Sequence, residues 1–273
     1  MKMLKKNFCF VFLSLVMALG SCQQKNAGTS KPEENPPLEG FDLAGSDPQA
    51  IKIADQVMAA QGGRQNWDAT HYLAWNFFGN RKLVWDKYTG QVRIDYLKND
   101  TKILVNINDG KGKVFRQGAE VTQPDSLAKY LDQGKKDWIN DSYWVFMPFK
   151  LKDSGLTLKY VGEDTTQAGT LADVLRLTFK GVGTTPNNGY KVYVDKNSHL
   201  VTQWAYFQEA NQPEPNFTTP WQNYQTYGSI KLSGDRGERQ ITDIQVFNEL
   251  PESVFTSFNP VDLTQYAATA ANK

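Results

Sequence analysis

Beyond residue 22 this chain contains no cysteine. Its two cysteines are Cys9 and Cys22. Disulfides, thiol nucleophiles and thiolate metal sites are therefore excluded from nearly all of its length. Histidine is almost as scarce. His71 and His199 are the only two, and they lie far apart in or beside predicted strands. With no His-x-His, HExxH or cysteine pair, no metal site is expected. No Gly-x-Ser-x-Gly elbow is present. Gly181-Val182-Gly183 runs into Pro186 rather than opening a helix, so it reads as a loop and not a phosphate cradle. Asn106, Asn108 and Asp109 lack the acidic pattern and terminal Glu of a calcium loop and read as a hairpin tip. Glu33-Glu34 and Glu163-Asp164 are carboxylate pairs in polar loops, where solvated charge is the default. No catalytic residue, cofactor or metal is called for.

A surplus of charge is also missing. The chain holds 30 Lys+Arg and 29 Asp+Glu, net +1. Residues 1–21 hold three lysines and no acid, so the remainder carries 27 against 29, net −2. That excludes the basic face needed for nucleic acid and strong attraction to anionic lipid. Outside the N-terminus no stretch reaches the roughly 20 apolar residues of a spanning helix.

What is present begins at that N-terminus. Lys2, Lys5 and Lys6 form a positive segment, and Phe8 to Leu19 an apolar one. Leu19-Gly20-Ser21-Cys22 follows. A plain secretory signal would end in an Ala-x-Ala-like site. This ending resembles the bacterial lipobox, which implies a lipidated Cys22 as the mature N-terminus. An ordinary signal peptide with a chance cysteine is the alternative. Residues 1–21 are thus the expected signal and 22–46 a lipidated, flexible tether rich in Pro, Gly, Asn and Ser. Membrane attachment rests on Cys22 alone.

The folded domain is expected over 47–273. Asp47 suits an N-cap and Pro48 the first helical position, and Gly62-Gly63 stops a helix over 48–61. Five strands follow at 71–79, 81–87, 91–98, 101–108 and 112–117, separated by hairpin signals such as Asn108-Asp109-Gly110. In 91–97, Val92, Ile94 and Tyr96 face one way and Gln91, Arg93 and Asp95 the other, which predicts one buried and one wet face. Leu127, Tyr130, Leu131 and Trp138 recur near the helical period, so 125–140 reads as a helix, with Gly134 a candidate break. Residues 141–151 read as an aromatic connector stopped by Pro148. Strands resume at 156–163, 172–180, 189–195, 199–208, 222–233 and 240–248. About eleven strands and two principal helices, with no βαβ alternation, predict a mainly β, α+β fold with a curved antiparallel sheet.

Aromatics are abundant: 7 Trp, 12 Tyr and 15 Phe. They suit a large aromatic core, or a concave sheet that holds an apolar or sugar ligand. Alternation places Trp75 with Phe77, Ile94 with Tyr96 and Trp204 with Tyr206 on single strand faces. With Trp144 and Phe146 these are the candidate lining residues of a cavity capped by 125–147.

The unit Gly189-Tyr190-Lys191-Val192-Tyr193-Val194-Asp195 followed by His199-Leu200-Val201 resembles the strand–Asp-turn–strand unit of LolA-like periplasmic proteins. The segment Asp141 to Leu151 resembles a motif of Gram-negative outer-membrane lipoproteins related to them. The resemblance covers roughly 48–262. It implies an unclosed half-barrel with helices in its concavity, binding acyl chains. Gln23 after the lipidated cysteine, in place of the Asp of inner-membrane retention, implies the outer membrane. The first acids, Glu33 and Glu34, are far from Cys22, which favours a periplasmic orientation over surface exposure.

The expected protein is thus a non-enzymatic, membrane-anchored lipoprotein that binds a hydrophobic ligand or a lipoprotein acyl chain. A surface lipoprotein that binds carbohydrate or protein through exposed aromatic platforms is the alternative. A hydrolase with carboxylates distant in sequence is a third. Oligomeric state is not legible.

Overall fold

A computed structural model describes residues 34–266. The signal segment, Cys22, the tether through residue 33 and the last residues of the expected domain, 267–273, lie outside the described residues.

The first surprise is at the N-terminal edge. Composition assigned 34–46 to the tether, but these residues pack against the folded body. Phe41 and Asn35 are buried. Backbone bonds run from Asp42 N to Leu156 O and from Asp47 N to Leu158 O, both 3.0 Å or shorter. The Ser46 hydroxyl accepts from Leu158 N at 2.9 Å. Polar backbone pairing to a distant strand edge orders this segment, and pairing of that kind leaves no apolar pattern to read.

Helix α1 (Pro48–Ala60) starts at Pro48 as expected. Asp47 occupies the N-cap position but does not cap with its side chain. Its carboxylate accepts instead from Lys159 Nζ at 2.9 Å and Tyr160 N at 3.0 Å. α1 ends at Ala60, and just beyond it the φ of 113° at Gly62 and its close approach to the Ser229 carbonyl both require glycine. A short α2 (Arg64–Ala69) follows.

The meander is β1 (Tyr72–Phe77), β2 (Arg81–Asp86), β3 (Gln91–Tyr96), β4 (Thr101–Asn106), β5 (Gly112–Arg116) and a two-residue β6 (Ala119–Glu120). α3 (Pro124–Phe146) then leads through a 3₁₀ turn (Met147–Lys150) to β7 (Leu156–Thr165), β8 (Leu171–Phe179), β9 (Gly189–Asp195) and β10 (Val201–Phe207). Next come β11 (Phe217–Pro220), β12 (Gln225–Tyr227), β13 (Ile230–Leu232), β14 (Asp235–Arg236), β15 (Arg239–Phe247) and α4 (Ser253–Thr256). The strand expected at 222–233 is in fact a loop and the small β12–β13 hairpin, turned at Gly228. Such short pieces raise the strand count above the expected eleven.

All pairings are antiparallel. One sheet has the order β14-β15-β1-β2-β3-β4-β5-β6 and the other β11-β10-β9-β8-β7. The two abut along β14 and β11, where Thr219 Oγ1 donates to Arg236 O at 3.0 Å and Gln222 bridges Asp235. β6 and β7, the far edges, are not paired with each other, so the half-barrel is unclosed.

Its inner face carries two cores. Leu73, Trp75, Ile94, Ile103 and Val114 of the eight-stranded sheet pack with Leu131, Val145 and Phe146 of α3. Leu158, Leu175, Val192 and Trp204 of the five-stranded sheet pack with Ile53, Ala54 and Val57 of α1. Trp138 meets Trp85 edge-on at 5.1 Å, as a sheet-facing position should. α3 is continuous through Gly134 and runs to Phe146, so neither a break nor a connector from 141 is present. Gly134 serves close packing: a Cβ there would lie 2.8 Å from Ile103 Cγ2.

The outer face of β3 is not wet, as alternation predicted. Arg93 is 1% exposed because the C-terminal segment covers it. Its guanidinium donates to the carbonyls of Val254, Ser257 and Asn259 and pairs with Asp95.

Candidate functional site

A cleft of about 350 Å³ opens between the C-terminal half of α3 and the five-stranded sheet. Strand register builds its walls. β9 and β10 place Tyr190 opposite Tyr206, and β10 and β11 place Tyr206 opposite Phe217. Period two keeps Trp204 on the same inner face. Tyr190 and Trp204 stack at 5.0 Å with planes 4° apart. Tyr206 and Phe217 stack at 5.1 Å. From the helix, Trp144 meets Trp204 edge-on at 4.8 Å and lies parallel to Phe217 at 5.9 Å. Tyr143 and Phe179 complete the floor. The β8–β9 loop supplies Val182, Gly183, Thr184 and Thr185, and with Asn188 and Asn140 it forms a polar rim.

No lining residue carries a charge at neutral pH. Burial pushes the Tyr190 phenol up to about 12 and the Tyr143 phenol well above its usual range. The Tyr143 hydroxyl and Trp204 Nε1 are buried with no hydrogen-bond partner.

Two polar clamps hold α3 in place. Arg81 of β2 grips Asp141 in a two-point pair, both contacts 2.8 Å, and reaches Asp137 at 3.3 Å. Tyr96 donates to Asp137, and Gln133 Nε2 donates to the same carboxylate at 3.0 Å. Asn140 Nδ2 donates to Asp141 at 3.0 Å, which joins this clamp to the cleft rim. Burial outweighs the Arg81 pairing and pushes Asp141 up to about 6. At the other end, buried Arg236 donates to the carbonyl of Trp144 at 2.7 Å, with its guanidinium 3.4 Å above the Trp221 ring. Burial lowers Arg236 to about 9. A cation on the last carbonyls of a helix is well placed against its dipole.

The eight residues expected to line a cavity divide. Trp144, Trp204 and Tyr206 line the cleft. Trp75, Phe77, Ile94 and Phe146 are buried in the core under α3, and Tyr96 is spent on Asp137. Over the eight-stranded sheet the space beneath the helix is filled by Leu131, Val145 and Phe146. Tyr143, Phe179, Tyr190, Phe217 and the 182–185 loop were not anticipated. Tyr190 and Phe217 reach the cleft through cross-strand register, which a single strand's alternation does not carry.

Among the described residues no tryptophan is exposed, so no tryptophan platform faces solvent. No carboxylate lines the cleft. Among the described residues no group of three or more metal-ligating side chains converges, and no helix is long and apolar enough to cross a membrane.

No family model and no curated protein matches this chain. Among solved structures it is similar to a DUF1329 family protein from Desulfovibrio piger, at 12% identity and TM-score 0.43, covering 78% of this chain and 98% of that one. It is also similar to a LolA superfamily protein from Nitrosomonas europaea, at 9% identity and TM-score 0.40, covering 76% and 97%. A domain assigned as an outer membrane lipoprotein-sorting protein from Vibrio parahaemolyticus matches at 11% identity and TM-score 0.37, covering 76% and 96%. At these scores none carries a function to this chain.

Proposed function

We propose that this protein is a non-enzymatic lipoprotein, held at the periplasmic face of the outer membrane by lipid on Cys22, that binds a hydrophobic ligand or a lipoprotein acyl chain. The cleft between α3 and the five-stranded sheet carries this reading. Its volume of about 350 Å³ lies at the lower end of the range for small-molecule sites, about 300–1,000 Å³. One chain or one ring system fits, and several chains together do not. Each buried methylene contributes about 0.8 kcal/mol, so even a chain of about ten carbons repays the cost of association. Trp144, Trp204 and Tyr206 are the ligand contacts. Trp75, Phe77, Ile94, Tyr96 and Phe146 support them from the core.

The test is displacement of an uncharged fluorescent acyl probe, a fatty-alcohol analogue, from the mature chain carrying Cys22→Ser, which keeps every described residue. Saturable binding, with quenching of tryptophan emission, is the expected result. Absence of binding to any apolar probe, together with no lipid in the purified protein, would overturn the reading.

A further inference from the structure

We infer that the cleft selects amphiphiles with an uncharged, hydroxyl-bearing head and rejects those with an ionised one. This rests on the proposal that the cleft binds an apolar ligand, and it names the chemistry of that ligand's polar end.

The walls and rim differ in kind. The walls are aromatic rings, several stacked on one another. The rim is made of Asn140, Thr184, Thr185 and Asn188, with the Tyr206 phenol among the lining groups. These groups offer both donors and acceptors. Asn140 spends its amide nitrogen on Asp141, which leaves its carbonyl oxygen as an acceptor. Asn188 Nδ2 donates to Thr185 Oγ1 at 2.6 Å, which leaves the Thr185 proton and the Asn188 oxygen for other partners. A head bearing hydroxyl and ester groups needs that mixture, because each hydroxyl both donates and accepts.

An ionised head would find no counter-charge. Carboxylates taken out of water need a cation or several donors, or they stay in water. Arg236, Arg81 and Arg176 are each committed elsewhere. Arg236 donates to Trp144, Ser233 and Asp235 carbonyls behind the wall. Arg81 is saturated by Asp137 and Asp141. Arg176 lies over the Phe207 ring and donates to Ala210 O. None of the three lines the cleft. A cationic head gains ring faces, yet the rim supplies no anion to accompany them.

Three probes of one chain length separate the cases: 1-monolauroylglycerol, laurate and dodecyltrimethylammonium, titrated at pH 8 into the mature Cys22→Ser chain. The glyceride should bind at least ten-fold tighter than either ion. Thr185 is exposed, so Thr185→Lys places a cation on the rim without disturbing the core. That variant should raise laurate affinity several-fold and so narrow the glyceride-to-laurate ratio. Laurate or the ammonium probe binding as tightly as the glyceride would overturn head-group selection while leaving the apolar site standing. Failure of all three to bind would remove the site itself.

Discussion

Replacing Arg81 by Met isolates the clamp that fixes α3 over the eight-stranded sheet. The Asp141 side chain is 0% exposed and Arg81 is its two-point partner. Methionine fills most of the arginine's volume but leaves Asp141 as a buried carboxylate with only Asn140 as donor. Breaking a buried pair from one side costs about 3–5 kcal/mol. The loss should depend on pH in a defined direction. Asp141 already titrates near 6 instead of 3.8, so the folded state holds its proton more tightly than the unfolded chain. Stability from this group is therefore fully present below about pH 4 and is lost as pH rises through 6. The displacement is worth about 3 kcal/mol. Without Arg81 the carboxyl moves higher still, so Arg81→Met should lose most at pH 8 and markedly less at pH 5, where Asp141 takes up a proton. Urea unfolding at the two pH values, read as midpoint and slope, measures both. The double variant Arg81→Met/Asp141→Leu should recover most of the loss, because an apolar pair often replaces a buried ion pair at little cost. A loss below about 1 kcal/mol at pH 8, or one equal at pH 5 and 8, would refute this account of the clamp.

Gly134→Ala should destabilise by about 1–3 kcal/mol in thermal or urea unfolding, where an ordinary helical glycine would gain about 1 kcal/mol. The new Cβ would lie 2.8 Å from a methyl of Ile103, which is branched and fully buried. Trp144→Ala should weaken a bound apolar probe at least ten-fold in equilibrium titration, because its ring forms the helix side of the cleft. Trp75→Ala, by contrast, should cost about 3–5 kcal/mol of stability. Cys22→Ser should abolish incorporation of radioactive fatty acid in cells, and normal labelling would remove the anchor from the proposal.

The meander from β1 to β5 was legible because short polar turns punctuate β-branched and aromatic runs, and both signals are local. α3 was cut short at 140 for a physical reason. From Asp141 to Phe146 the helix is flanked by both cores: Val145 and Phe146 face the eight-stranded sheet, and Tyr143 faces the five-stranded one. Trp144 packs against both. Such a helix is apolar nearly all round, and the 3.6-residue stripe that marks a one-sided helix disappears. Arg93 misled in the same way: it reads as a solvent-facing charge until a segment some 160 residues later supplies three carbonyls. The cleft was half visible. Trp204 and Tyr206 share a strand, so alternation joins them, but Tyr190 and Phe217 join only through register across three strands.

The position of the cleft follows from how α3 meets the two sheets. Near its middle, Gly134 lets the helix approach Ile103 closely, and Arg81 binds Asp137 and Asp141 from the same side. Those contacts leave no room for a ligand over the eight-stranded sheet. One turn later the side chains on the opposite flank are Tyr143 and Trp144, whose rings hold the helix away from Tyr190, Trp204 and Phe217. Ring against ring at 5–6 Å leaves gaps that aliphatic packing would close. Arg236 pins the carbonyl of Trp144 and so fixes that end of the helix. One helix therefore seals one half of the barrel and props open the other. Substitutions from Gly134 to Asp137 should act mainly on stability, and those at Tyr143 and Trp144 mainly on binding.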